Sequence, residues 1–331
     1  MIDHPDIRNP LAAPVIAAVV IGRNEGARLI ACLDSLQGQF SCVVYVDSGS
    51  TDGSQEIARA RGAMVVPLDM SLPFTAARAR NAGLAHLWAA GFTPNLVQFL
   101  DGDCILQPDW LDAARDFLKA HPDVAVVCGR RRERFPEATI WNRLIDTEWE
   151  TPVGETRACG GDALIRADAL RQVGGYNPDL IAGEEPELCL RLRLKGWKIW
   201  RIDSEMTLHD AAMTRFGQWW QRARRAGYTY AEGVAMHGRT PERHKLRELV
   251  SVLLRGLALP FFLLLSAIFV TPWMLLGGLI YPLQALRLRL GGLPWAQAWF
   301  LMLVRFPEAQ GALTYVWRRL TRKKAQLIEY K

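Results

Sequence analysis

VIAAVVIGRNE, from Val15 to Glu25, is a run of seven apolar residues that stops at a glycine and three polar side chains. A short β-branched run bounded in this way reads as a buried strand, Val15 to Ile21, that delivers polar groups at its carboxyl end. The design recurs at Val43 to Val46, which stops at Asp47-Ser48-Gly49-Ser50-Thr51-Asp52-Gly53, and at Leu96 to Leu100, which stops at Asp101-Gly102-Asp103. Helical patterns lie between: Glu25 to Leu36, a segment through about Arg61, Phe74 to Ala90, and Pro108 to Ala120. Ala63 to Val66 and Val124 to Cys128 add further strands. This alternation predicts an α/β fold with an open, mainly parallel sheet flanked by helices. Such sheets bind ligands beyond the carboxyl ends of their strands, where the polar clusters fall.

Beyond Arg130 the rhythm loosens. Arg130-Arg131-Arg132 reads as a loop, solvated in preference to phosphate-facing. Cys159 to Ile165 is expected to be a strand, Glu184 to Lys195 a helix, and Thr214 to Val234 a long helix rich in Trp and Arg. Proline and basic residues near Arg239 to Lys245 mark a boundary. Residues 1–240 are expected to form the α/β domain, and 241–331 a basic, hydrophobic helical region.

Charge supports that division. The net charge of +6 separates into +9 for Pro241 to Lys331 and −3 for the remaining 240 residues. Within the basic part, Gly256 to Leu286 runs for 31 residues without a charge. A nucleic-acid-binding tail interleaves its basic residues with polar and aromatic ones. Here they flank an apolar run, which is the pattern of a membrane segment. The run exceeds the roughly 20 residues of one span and falls short of two, so a two-span hairpin and a re-entrant or in-plane helix pair both stay open. Trp317 to Lys324 (WRRLTRKK) suits an anionic lipid surface. Met1 to Pro10 is polar and does not read as a signal peptide. The six cysteines stand singly, with no CxxC pair, which argues against a zinc ribbon or disulfide scaffold and suits a reducing compartment.

Several clusters have the composition of a reactive site. Asp101 and Asp103 flank a glycine at a strand end, where two carboxylates can reach one hard cation and through it a diphosphate; an ordinary acidic turn is the alternative. Asp47 to Ser54 can present a carboxylate to a base or ribose, or simply cap the next helix. Arg78 and Arg80 lie on a helix whose guanidinium forks suit phosphate, unless they are merely solvent-exposed. Glu184 and Glu185 open a helix, where the dipole favours acids and where a general base could also sit. His209 is a metal ligand or a structural histidine.

Taken in order, Val20 to Glu25, VDSGSTDGS, ARNAG, FLDGDC, CGGDALIRADALRQVGGYN and GEEPELCLRLRLKGWKIW make the chain resemble the family 2 glycosyltransferases from about Val15 to Tyr230. The resemblance implies a GT-A fold, and an enzyme that inverts the anomeric centre of a nucleotide-activated sugar with Mg²⁺ or Mn²⁺. It implies Asn24 and Glu25 at the nucleotide edge, Asp47 near the base, and Arg80 by the nucleotide or diphosphate. It further implies Asp101 toward the ribose, Asp103 on the metal with help from Asp101 and His209, and Gly160, Gly161 and Asp162 in the segment lining the acceptor side of the donor sugar. Glu185 takes the place of the catalytic base, with Glu184 as its rival, because the usual Glu-Asp pair is here Glu184-Glu185. Gln218-Trp219-Trp220-Gln221-Arg222 departs from the QxxRW signature of processive synthases, which favours one sugar per acceptor.

The expected partners are a nucleotide-sugar donor, UDP-linked in preference to GDP or TDP, a polyprenyl-diphosphate-linked glycan acceptor, and membrane lipid, with no nucleic acid. The expected location is the inner (cytoplasmic) membrane with the catalytic domain in the cytoplasm, in exopolysaccharide or envelope-glycan synthesis. Two rival readings are a sugar nucleotidyltransferase and a non-catalytic nucleotide-sugar-binding subunit of a synthase. The first wants a glycine-rich phosphate loop, for which Gly22 to Gly26 is a poor substitute. The second rests on the missing aspartate of the Glu-Asp pair.

Overall fold

A computed structural model describes residues 14–322. The expectations for Met1 to Pro10 and for Lys323 and Lys324 lie outside the described residues. The α/β part follows the order β1 Ile16–Gly22, α1 Ala27–Leu36, β2 Cys42–Asp47, α2 Ser54–Ala60, β3 Met64–Pro67, α3 Ala76–Ala89, β4 Leu96–Asp101 and β5 Cys104–Leu106. It continues with α4 Trp110–Ala120, β6 Val124–Glu133, α5 Ile140–Trp149, β7 Gly154–Thr156, β8 Ala163–Arg166, α6 Ala167–Val173, α7 Glu184–Leu194, β9 Lys198–His209 and α8 Phe216–His237.

One sheet runs β3-β2-β1-β4-β8-β6-β9-β5, with β7 also on β9. It is parallel from β3 through β4 and mixed beyond, where β8 pairs antiparallel with both β4 and β6. The central strands are nearly all apolar because both faces are covered: Ala17 to Val20, Val97, Phe99 and Leu100 are fully buried. α1 covers one face with Leu29, Cys32, Leu33 and Leu36, a stripe at helical spacing.

The structure departs from the sequence reading at several points, among them the expected strand Cys159 to Ile165, which begins only at Ala163. Arg130 to Arg132 are not a loop; β6 runs on to Glu133 and these residues pair with β9. The sequence pattern announces neither β9 as a strand nor α5 as a helix. β9 is parallel to β6, with register irregularities, and antiparallel to β5 and β7. It sets His209 opposite Cys104 of β5 and Glu133 of β6.

The tail is a helical assembly seated on α8. A 24-residue helix, Leu246–Phe269, carries a π turn at Leu254–Ala258 and is the one helix among the described residues long and apolar enough to cross a membrane. The second half of the uncharged run is broken into a 3₁₀ segment, Pro272–Leu279, and a helix, Ile280–Leu290. The two-span version of the hairpin therefore lacks its second span among the described residues. Trp295–Leu303 and Arg305–Leu320 follow. Phe262, Ile268, Phe269, Val270, Trp273 and Leu276 of the apolar arm face outward.

The last helix meets α8 backbone to backbone: a methyl group on Gly227 would overlap the carbonyl of Glu308, and one on Gly311 the carbonyl of Arg224. Only glycine permits that approach. Around it, Ile181, Tyr228, Ala231, Ala312 and Tyr315 form a small core with Leu249 and Leu253. Trp141 of α5, Trp219 of α8 and Phe300 form a second aromatic cluster, Phe300 meeting the two indoles edge-on at 4.7 Å and 5.1 Å.

Candidate active site

The carboxyl ends of β1, β2 and β4 lie side by side in the sheet, and at β4 Asp101 meets the start of α7 in one acidic cluster whose charges are stitched by two arginines. Arg80 reaches it from α3, whose start is fixed by Thr75 accepting the Arg78 amide at 3.2 Å. The buried stripe of that helix is Ala77, Arg80, Leu84 and Leu87, so a guanidinium is carried inward among apolar neighbours. Arg80 is 2% exposed. Its Nη1 donates to Glu184 at 2.8 Å and pairs with Glu185 at 2.9 Å, while Nη2 donates to Asp101 at 3.0 Å. A buried guanidinium needs such compensation. Arg80 is expected beside the nucleotide or diphosphate; its fork is occupied by three carboxylates.

Arg131, at the end of β6, makes the second stitch. It pairs with Asp101 at 3.3 Å and with Asp162 at 3.5 Å, and lies over the Trp149 ring at 4.8 Å. Asp162 is fully buried, accepting from the Asp101 amide at 3.1 Å and from Thr207 Oγ1 at 2.8 Å. Glu185, Arg80, Asp101, Arg131 and Asp162 thus form one continuous ion-pair chain. Burial works to raise the Asp101 carboxyl, but Arg80 and Arg131 outweigh it and hold the group below its ordinary value. Gly161 gives this chain its room: a Cβ there would lie 2.7 Å from Arg80 Nη2 and 2.8 Å from Asp101 Oδ2.

Glu184 and Glu185 differ in access. Both bind Arg80, but the Glu184 side chain is 4% exposed and that of Glu185 15%. Burial, then the charge of Glu184, pushes the Glu185 carboxyl up to about 7 against the pull of Arg80.

The two aspartates of the Asp-Gly-Asp turn separate. Asp103 faces His209, with Oδ2 3.3 Å from Nε2, and Cys104 completes a close group with them. Asp101 belongs to a different group, with Cys104 and Asp162. Carboxylate oxygen and imidazole nitrogen suit a divalent ion such as Mn²⁺ or Mg²⁺. The opposite ring nitrogen, Nδ1, is buried without a hydrogen bond among the described residues and lies 3.8 Å from Glu133 Oε2. A histidine ring fixed between two carboxylates, with its edge on Trp149 at 4.8 Å, is the usual setting of a metal-binding imidazole. The donor set fits the group.

The nucleotide-side residues shape loops. Asp47 is buried and accepts from the amides of Gly49 and Ser50 and from Gln55, at 2.9–3.1 Å. Asn24, with φ of 55°, gives its amide to Ser50 Oγ and takes that of Thr51, tying the loop after β1 to the loop after β2. Glu25 beside it pairs with Arg28 at 2.8 Å. Arg131, Glu133, Trp149 and Thr207 are not among the expected site residues.

A family model described as Glycosyl transferase family 2 matches residues 17–173, and another, Glycosyl transferase family group 2, matches residues 96–307. The succinoglycan biosynthesis protein ExoA of Rhizobium meliloti is 28% identical over 214 residues, 60% of this chain and 64% of that protein. A glucosyl-dolichyl phosphate glucuronosyltransferase of Haloferax volcanii is 25% identical over 135 residues, 34% of this chain and 42% of that protein. The chain thus spans less than two thirds of either relative. The structure of the mannosyltransferase PcManGT of Pyrobaculum calidifontis, solved with GDP-Man and Mn²⁺, covers 94% of this chain and 89% of its own at 21% identity, with a TM-score of 0.65. That likeness is one of fold, and it extends through the helical tail.

Proposed function

The chain belongs to glycosyl transferase family 2, and from that premise we propose that it transfers one sugar, with inversion, from a UDP-sugar to a lipid-linked glycan at the cytoplasmic face of the inner membrane. Family membership favours a glycosyltransferase over the nucleotidyltransferase and non-catalytic readings. The observation that carries the mechanism is the ion-pair chain running from Glu185 through Arg80 to Asp101, with Asp103 and His209 beside it.

Glu185 is the base. As the acceptor hydroxyl oxygen attacks the anomeric carbon, its proton passes to the Glu185 carboxylate while the bond to the diphosphate breaks on the opposite face. A carboxyl titrating at about 7 is matched to that task near neutral pH. Arg80 holds the carboxylate in place and keeps enough of it ionised. Glu184, more buried on the same guanidinium, orients the pair. Asp103 and His209 would hold the divalent ion, which when bound supplies positive charge to the departing diphosphate. Asp101, held by Arg80 and Arg131 over the buried Asp162, is the carboxylate that faces the donor.

The acceptor class is supported by the outward-facing apolar arm from Phe261 to Leu290 and by two relatives, one named for succinoglycan synthesis and one for a dolichyl phosphate. The fold-related mannosyltransferase was solved with GDP-Man, so GDP-sugars are tested beside UDP-sugars. The test is a screen of UDP-, GDP- and TDP-sugars with membrane lipid extract as acceptor. Nucleoside diphosphate release would be the readout, followed by NMR of the product's anomeric centre. Inverted product that partitions with lipid is expected. A retained anomer, or transfer only to water-soluble acceptors, overturns the respective part.

A further inference from the structure

Directly behind the base helix, two cysteines that the mechanism does not use touch each other. Cys189 stands on α7 one turn after Glu185, and Cys159 lies two residues before Gly161 in the irregular segment between β7 and β8. Their Sγ atoms are 3.6 Å apart, both thiols are free, and both are buried. The remaining cysteines of the chain are also free and buried, but this pair alone has its two ends on segments that carry site residues.

We propose that Cys159 and Cys189 are a peroxide-sensitive dithiol whose disulfide reversibly stops sugar transfer. One thiol reduces a peroxide, giving a sulfenic acid and water. The second thiol then displaces a second water from that sulfur, so that two thiols and one hydrogen peroxide become one disulfide and two waters. Because the two sulfurs are in contact, either thiol can take the first step and the other the second.

The bond would be felt at the site. A disulfide needs its sulfurs about 2.05 Å apart, so the pair must close by roughly 1.5 Å from the observed contact. α7 carries Glu185 and is packed through the buried Leu188, Leu190 and Leu192, so the closure strains either that helix or the segment from Cys159 to Asp162. That segment has no slack, because Gly161 already sits against Arg80 and Asp101. A shift there pushes on the guanidinium that orients Glu185 and on Asp162, which takes the Asp101 amide. A misplacement of about 1 Å in a catalytic constellation costs on the order of 10²-fold in rate.

The experiment treats the full-length protein with hydrogen peroxide, then maps thiols by alkylation and peptide mass spectrometry while turnover is followed before and after dithiothreitol. A Cys159–Cys189 linked peptide, loss of about 10²-fold in turnover and recovery on reduction are expected. Cys159→Ser and Cys189→Ser, each scored as its own oxidised-to-reduced activity ratio, should escape the loss. Absence of the linked peptide overturns the proposal, as does a linked peptide with unchanged turnover, inactivation that reduction does not reverse, or variants as sensitive as wild type. Because the linkage is read by mass, its failure is distinguishable from a wrong assignment of the base.

Discussion

Replacing Glu185 by glutamine should make the protein a far poorer catalyst and, in alkaline buffer, a more stable one. The side chain keeps its shape and loses the proton acceptor, so turnover falls by about 10²–10⁴ with donor binding nearly intact. The stability change follows from the same environment. A carboxyl that titrates at 4.5 in the unfolded chain and about 7 in the fold is harder to ionise when folded. At 1.36 kcal/mol per tenfold change in proton affinity, holding it ionised costs the fold on the order of 3 kcal/mol. The sign runs one way. Below about pH 4.5 the group is protonated in both states and costs nothing; the cost grows through the interval and is complete above about 7. Glu185→Gln should therefore raise Tm by several degrees at pH 8 and leave it nearly unchanged at pH 4.5. The assays are nucleoside diphosphate release from pH 5.5 to 9 and thermal melts at the two pH values. The wild-type rate should climb through about pH 7 and the residual rate of the variant should not. Wild-type turnover in the variant, or an unmoved acid limb, would refute the base assignment, and equal Tm shifts at both pH values would refute the electrostatic account. Glu184→Gln should be the milder change; the reverse ranking would move the base one residue back.

Other expectations follow from the same geometry. Asp103→Ala and His209→Ala should each weaken Mn²⁺ binding, measured by calorimetry, by about 10²-fold or more, and excess chelator should abolish transfer by the wild type. Arg131→Met strands the fully buried Asp162 and should cost about 3–5 kcal/mol in denaturant unfolding, whereas a purely solvated arginine would cost almost nothing. Gly311→Val should detach the last helix from α8 and open the 241–331 region to limited proteolysis. Phe269→Glu combined with Trp273→Glu on the apolar arm should reduce co-flotation with anionic vesicles without changing donor hydrolysis.

The parallel half of the sheet was legible because both of its faces are covered. β1, β2 and β4 are nearly pure apolar runs, and each hands its polar cluster to the site at a strand end. β9 was not, because Arg201, Asp203 and Glu205 interrupt it; Asp203 and Glu205 point to solvent while Arg201 is buried and donates to the Thr151 carbonyl. Arg131 was hidden in a run of three arginines that looks like solvated charge. In a strand their alternation matters: Arg132 pairs with Asp146 on one side, and Arg131 turns toward Asp101 and Asp162 on the other. Arg80 did leave a signal. It shares a helical stripe with Ala77, Leu84 and Leu87, and an arginine on an apolar stripe announces buried carboxylates. The break in the second arm of the tail was less visible, since composition alone does not distinguish a 3₁₀ segment from a continuous helix.

The glycine contacts between α8 and the last helix have a consequence for what the enzyme can reach. Side chains interposed between helices can change rotamer and let one slide over the other, whereas two backbones in direct contact have nothing to yield. Gly256 of the apolar helix meets the Arg305 carbonyl in the same way, so that helix, the last helix and α8 move as one unit. Under the proposal of a lipid-linked acceptor, with the arm in lipid, the Glu185 carboxylate would stand at a set height above the bilayer, and the glycan extended would be the one whose terminal hydroxyl rises to that height. Acceptors one sugar shorter or longer on the same lipid would be discriminated by altitude alone, before any contact with their sugars is made.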